Sequence, residues 1–256
     1  MSDPTKRFSN RVDDYVRFRP RYPAAVIRLL ESSCGVTADS VVADVGSGTG
    51  ILSEMFLRLG CRVFGVEPNR EMRDAGERLL AHYPKFSSVD GRAEATTLPG
   101  TSVDLVTAAQ AFHWFDRPRA RAEFARLLRP EGWVALIWNK RRKTGTPLAI
   151  AYERLLLEYA VDYRAVDHDS VTDVVIADFF RPAEMHLHAF ENHRTLDHSS
   201  LEGYLRSASY VPAPGHPAHA PMLVALRAIF DDLNVGGTVV LEYDTLVYLG
   251  RLAPGR

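Results

Sequence analysis

Residues 41–50 read VVADVGSGTG. The valines Val41, Val42 and Val45 give the short β-branched run of a buried parallel strand, with Asp44 close to its end. Glycines then fall at alternate positions, Gly46, Gly48 and Gly50, where a backbone without Cβ atoms can turn tightly and let a ligand lie against it. The segment ILSEMFLRLG that follows places Ile51, Leu52, Met55, Phe56 and Leu59 at helical spacing and closes at Gly60. CRVFGVE, residues 61–67, reads as a second strand ending in an acid. Strand, glycine turn, helix, strand and terminal carboxylate make a βαβ mononucleotide unit, in which Glu67 is placed to accept hydrogen bonds from ribose hydroxyls.

The glycine spacing separates two cofactors that share this architecture. A dinucleotide fingerprint requires G-x-G-x-x-G, so that amides at the helix start face a pyrophosphate. Counting from Gly46 gives Gly48 and then Ile51, so the third glycine is missing. The run is instead acid-x-G-x-G-x-G with Asp44 ahead of the turn, a pattern that resembles motif I of the class I S-adenosylmethionine (SAM) methyltransferases. A cationic sulfonium with an ammonium group tolerates a nearby carboxylate, whereas a pyrophosphate is repelled by it.

With 256 residues the chain fits one α/β domain carrying an elaboration. Thirty-one bases and 32 acids are interspersed, leaving a net charge of −1 and no electrostatic footprint for non-specific binding to nucleic acid or anionic lipid. Small molecules are the expected partners. Cys34 and Cys61 lack metal spacing and read as reduced thiols. The polar N-terminus lacks an apolar signal core and no run approaches the ~20 apolar residues of a membrane span, so the expectation is a soluble, cytoplasmic chain with no membrane partner. Oligomeric state leaves no signature in the sequence.

The alternation continues downstream. Residues 69–84 predict a helix capped by Asn69, residues 86–89 a short strand, 101–110 a fourth strand, 118–129 a helix and WVALIWN, 133–139, a fifth strand entered through the turn Pro130, Glu131, Gly132. Such an alternation implies a parallel sheet whose ligands bind outside the carboxyl ends of the strands. Residues 147–160 predict an amphipathic helix, and KRRKTG before it a solvated basic loop that could meet an acidic substrate. Residues 185–196 and 238–252 alternate as strands, Ser199 with Glu202 resembles a capping box, and residues 220–233 give a last helix.

Four stretches carry a family resemblance: FSNRVDDYVRFRPRYP near the start, DVGSGTG, DGRAEATTLP at 90–99, and AQAFHWFD at 109–116 with LLRPEGWVAL after it. Together the run from about residue 8 to 139 resembles the methyltransferase type 11 group, and within it the trans-aconitate methyltransferase-like branch. The resemblance implies a Rossmann-like α/β fold with a seven-stranded, mostly parallel sheet. Its strand order would be 3-2-1-4-5-7-6 with the last strand antiparallel, helices on both faces and a small helical lid. On this plan residues 1–256 are a single domain: an N-terminal arm and helix (1–35), a cofactor-binding core (36–139), lid and substrate segments with one strand (140–235) and a closing strand (236–256).

The expected cofactor is SAM, leaving S-adenosylhomocysteine as product. Its binding set is Asp44, Gly46, Ser47, Gly48 and Gly50 at the turn, with Glu67 and Pro68 at the second strand end. The resemblance adds Ala93 as a backbone donor to the adenine, Glu94 bordering it, Gln110 at the methionine end, and Tyr15 and Arg19 reaching over to the cofactor's carboxylate. YVRFRPRYP, residues 15–23, holds Pro20 and Pro23 and is read as too interrupted for a helix.

AFHWF, residues 111–115, follows the strand edge that faces the methyl group. Aromatic faces attract a sulfonium and exclude water. His113 is a candidate general base, its unperturbed type titrating near ~6.5, or else a wall and orienting group. Substrate candidates are His113, Trp114, Tyr152, Arg206 and Tyr210, with Arg206 suited to a carboxylate acceptor. His186, His188, His193 and His198 lack the carboxylate or cysteine pattern that would complete a metal site, and no metal is expected. The functional expectation is methyl transfer from SAM to a small molecule, with a carboxylic acid suggested by the resemblance. The alternatives are an NAD-dependent oxidoreductase, disfavoured by Ile51, and a non-catalytic SAM-binding protein.

Overall fold

The computed structural model describes residues 12–161, 163 and 172–252. Among these residues one sheet holds β1 (Val41–Val45), β2 (Arg62–Val66), β3 (Phe86–Val89), β4 (Val103–Ala109), β5 (Leu128–Arg141), β6 (Met185–Leu196) and β7 (Val239–Gly250). Their order is β3-β2-β1-β4-β5-β7-β6, as expected from the sequence. Neighbours from β3 to β5 are parallel, and β7 runs antiparallel to both β5 and β6.

Side chains alternate across a strand, and here the alternation builds two cores. Val134, Leu136 and Trp138 of β5 pack on one face with Phe124 and Leu127 of α5 (Arg117–Leu127) and with Phe179 and Phe180 of α7 (Asp173–Phe180). Ala135 and Ile137 pack on the other, with Val26 and Leu30 of α2 (Ala24–Cys34) and with Leu52 and Phe56 of α3 (Ile51–Leu59). Helices therefore cover both faces. A third core lies past the sheet's active end, where α6 (Pro147–Tyr159), α8 (His198–Arg206) and α9 (His219–Leu233) bury Leu156, Leu201, Leu205 and Leu226 against Leu241 and Tyr243 of β7.

Local signals explain most boundaries. The side chain of Asn69 accepts from the Met72 N–H and starts α4 (Arg70–Leu80). Three readings are corrected. The N-terminal arm contains a helix, α1 (Val12–Phe18), because Pro20 ends a helix before it rather than forbidding one. Asp197, not Ser199, caps α8, accepting from the Ser200 N–H at 2.7 Å. Pro130 to Gly132 lie within β5 as an irregularity, with Glu131 at φ 68°, rather than as a turn ahead of it.

No helix among the described residues is long and apolar enough to cross a membrane. Cys34 and Cys61 are free cysteines.

Candidate active site

The glycine turn sits where β1 ends, tied to β2 by the Gly46 and Ser47 amides, which donate to the Val66 carbonyl at 2.8 and 3.1 Å. Gly46 has φ +71°, and a Cβ there would lie 2.5 Å from the Ala111 Cβ. Gly50, at φ +84°, opens α3, and a Cβ there would meet Leu80 at 2.5 Å. Only glycine satisfies both the backbone and the space.

Asp44 is 1% exposed and accepts hydrogen bonds from Ser53 Oγ at 2.6 Å and Thr107 Oγ1 at 2.9 Å. Burial pushes its carboxyl up to about 6, against the pull of those hydroxyls. Glu67, at the end of β2, accepts the Gly48 N–H on Oε2 and the Asn69 N–H on Oε1, each at 2.9 Å. Burial raises its carboxyl above the usual range while the two amides oppose the shift.

A cavity of about 980 Å³ opens over this turn. One end is lined by Gly46, Gly48, Glu67, Pro68, Ala93 and Glu94. Gln110, held at φ +57° beyond β4, gives its Nε2–H to the Asn139 carbonyl at 3.1 Å. Among the described residues its Oε1 is buried with no hydrogen-bond partner, and so is Nε of Arg19; both residues line the cavity. Tyr15 lies on the wall as well, its hydroxyl 4.0 Å from where a Gly48 Cβ would be. His113 and Trp114 form a one-turn 3-10 helix with Phe112 and face the cavity, while Phe112 is buried against Phe179 and Trp138.

The other end of the cavity is cationic and lined by tyrosines. Arg141, at the end of β5, has a side chain 9% exposed, donates to Glu153 and to Tyr163 Oη, and lies 4.9 Å over the Tyr152 ring. Lys143 stands 3.9 Å from Glu153 and 5.7 Å over the Tyr163 ring. Tyr204, Tyr210 and Tyr243 complete this wall. Among the described residues Arg141 and Lys143 thus share the Glu153 carboxylate.

Of the residues named from sequence, Tyr15, Arg19, Gly46, Gly48, Glu67, Pro68, Ala93, Glu94, Gln110, His113, Trp114 and Tyr210 line this one cavity. Five others do not. Asp44 lies beneath the turn, where it fixes Ser53 and Thr107. Ser47 turns toward Gly65 of β2, and Gly50 is a helix cap. Tyr152, 1% exposed, belongs to the third core under Arg141. Arg206 pairs with Glu202 at 2.6 Å along α8. Arg141 and Lys143 were not singled out by the sequence, although KRRKTG contained both. The histidines singled out bring no metal with them: among the described residues no group of three or more His, Cys, Asp or Glu is placed to hold one.

A sheet in the order 3-2-1-4-5-7-6, with an acid-x-G-x-G-x-G turn and an acid closing the second strand, makes a Rossmann-like methyltransferase fold. Residues 43–136 match the family model described as "Methyltransferase domain". An uncharacterized methyltransferase of Mycobacterium tuberculosis is 40% identical over 139 residues, 54% of each chain. An uncharacterized methyltransferase-like protein of Schizosaccharomyces pombe is 32% identical over 158 residues, 61% of this chain and 60% of its own. The chain thus aligns with only about half the length of these curated relatives. A solved structure of a candidate type II methyltransferase from Anaeromyxobacter dehalogenans is similar throughout, with TM-score 0.67 and 25% identity over 93% of this chain and all of that one.

Proposed function

We propose that this chain transfers a methyl group from SAM to a small-molecule acceptor bearing a carboxylate. The observation that supports this reading is one continuous cavity joining the glycine turn to a cationic, tyrosine-lined wall. The residues present suit SAM. An amino acid group needs a donor for its carboxylate and an acceptor for its ammonium, and Arg19 Nε and Gln110 Oε1 are buried polar atoms that lack partners. Glu67 is an acceptor for ribose hydroxyls, and Ala93 and Glu94 border the adenine position.

Bound SAM supplies an electrophilic methyl group on a sulfonium that leaves as a neutral thioether. The protein's part is then proximity, orientation and exclusion of water. Arg141 and Lys143 draw an anionic acceptor to the wall, and the charge on Arg141 is held in place by Glu153 and Tyr163. Trp114 and His113 wall the approach, with His113 orienting the acceptor. A carboxylate oxygen is already deprotonated at neutral pH, so no base is required. His113 would take a proton only from a hydroxyl or carbon acid acceptor.

Calorimetry with S-adenosylhomocysteine and with NAD separates this reading from an oxidoreductase. Screening carboxylic acids, phenols and quinone-like acceptors for production of S-adenosylhomocysteine then tests the acceptor. Turnover confined to acids is expected. A flat response to acids overturns the acceptor class, and binding without turnover on any acceptor would mark a SAM-binding protein instead.

A further inference from the structure

Resting on the reading that SAM binds at the glycine turn, we propose that Asn192 and Asn139 are positioning residues that hold the N-terminal arm across the cofactor. Neither side chain needs to touch the cofactor to do so. Asn192 Nδ2 donates to the Arg21 carbonyl at 2.9 Å and to Asn139 Oδ1 at 3.1 Å. Asn139 Nδ2 donates to the same Arg21 carbonyl at 3.3 Å, and its Oδ1 also accepts from the buried Thr245 hydroxyl at 2.6 Å. Side chains from β5 and β6 thereby converge on a single backbone atom of the arm, with Thr245 of β7 fixing Asn139 from behind. The backbone carbonyl of Asn139 accepts from Gln110, so the network runs on to the end of β4, beside the turn.

The rest of the arm is gripped from the same side. Arg194 donates to the Phe18 carbonyl, and Arg19 Nη2 donates to the Ser207 carbonyl at 3.0 Å. The Phe18 ring lies so close to α8 that a Cβ on Gly203 would fall 2.2 Å from it. Pro20 fixes φ between Arg19 and Arg21, so anchoring the Arg21 carbonyl sets where the Arg19 guanidinium stands. Toward the glycine turn, Arg21 pairs with Glu54 of α3 through an exposed guanidinium, 66% accessible. The Asn139–Asn192 pair thus acts together with the Ser207 carbonyl to place Arg19, whose Nε has no partner among the described residues, over the cleft.

This assigns the pair an effect on one portion of the ligand. Arg19 addresses the carboxylate of the amino acid group, which S-adenosylhomocysteine carries and 5′-methylthioadenosine lacks. The Asn192→Ala variant removes the shorter of the two bonds to Arg21 from a partly exposed side chain, and circular dichroism with a thermal melt checks its fold. Calorimetry on the full chain should show Kd for S-adenosylhomocysteine raised roughly tenfold, as for a lost hydrogen bond to a charged group. Kd for 5′-methylthioadenosine should be unchanged. An equal loss for both ligands, or no loss for either, overturns the positioning role. Failure of the unmodified protein to bind S-adenosylhomocysteine overturns the cofactor reading itself, and is distinguished by being seen before any substitution.

Discussion

Glu67 and Gly48 are joined at 2.9 Å, the carboxylate at the end of β2 accepting the amide of the glycine turn. The same carboxylate accepts the Asn69 amide through its other oxygen, so one buried side chain fixes the turn and the start of α4 together, and on the proposed function it is also the ribose acceptor. Replacing it by alanine strands two amides and removes the ribose partner. Glu67→Ala should raise Kd for S-adenosylhomocysteine by about 10- to 100-fold in calorimetry. An unchanged Kd would remove Glu67 from the cofactor site.

Asp44 gives a pH prediction. Its carboxyl is raised from an ordinary value of 3.8 to about 6, so the folded chain holds the proton more tightly than the unfolded one. The stability this contributes is complete below pH ~4 and is lost as pH rises through about 6, an effect on the order of 3 kcal/mol. Denaturant melts of the protein and of Asp44→Asn across pH 4 to 7 should show the difference between the two shifting in favour of the variant as pH rises. Parallel curves over that range would contradict the assignment.

Lys143 tests the cationic wall. Lys143→Met should raise KM for a carboxylate acceptor roughly tenfold through loss of one charge contact. Kd for S-adenosylhomocysteine should stay the same, because the neighbours of Lys143 are Glu153 and the Tyr163 ring rather than the glycine turn. A rise in the cofactor Kd with no change in acceptor KM is the opposite result and would refute the division of the cavity.

His113 distinguishes two chemistries. With a carboxylate acceptor, His113→Ala should lower the single-turnover rate by less than about tenfold and leave its pH profile unaltered, as expected for a wall. A loss within the ~100- to 10,000-fold range of general base catalysis, with the profile flattened, would identify a base.

The cofactor half was legible because each of its features has a local cause. Val41 to Gly50 combine a β-branched strand with glycines at positions of positive φ, and Asn69 caps its helix through its own side chain. The acceptor half was not, because its features depend on distant partners. Arg141 belongs to a strand since β7 pairs with β5 as far as Arg141 and Tyr243, a register that hydropathy cannot report for a run reading NKRR. Helix α1 has no buried residues of its own and is seated by Arg194 and by the gap at Gly203, both far away in sequence. Arg206 looked like a substrate anchor but has Glu202 one turn away along its own helix.

The third core has a consequence for how such chains diversify. Its buried members all follow residue 147, whereas the glycine turn and its supporting acids precede residue 70. Substitutions that reshape the wall around Tyr204 and Tyr243 are thus taken up by a packing unit whose helices meet the sheet through β7. On the proposed function, acceptor preference can therefore change while the donor site stands still, with Phe18 and Arg19 of the arm as the links between the two.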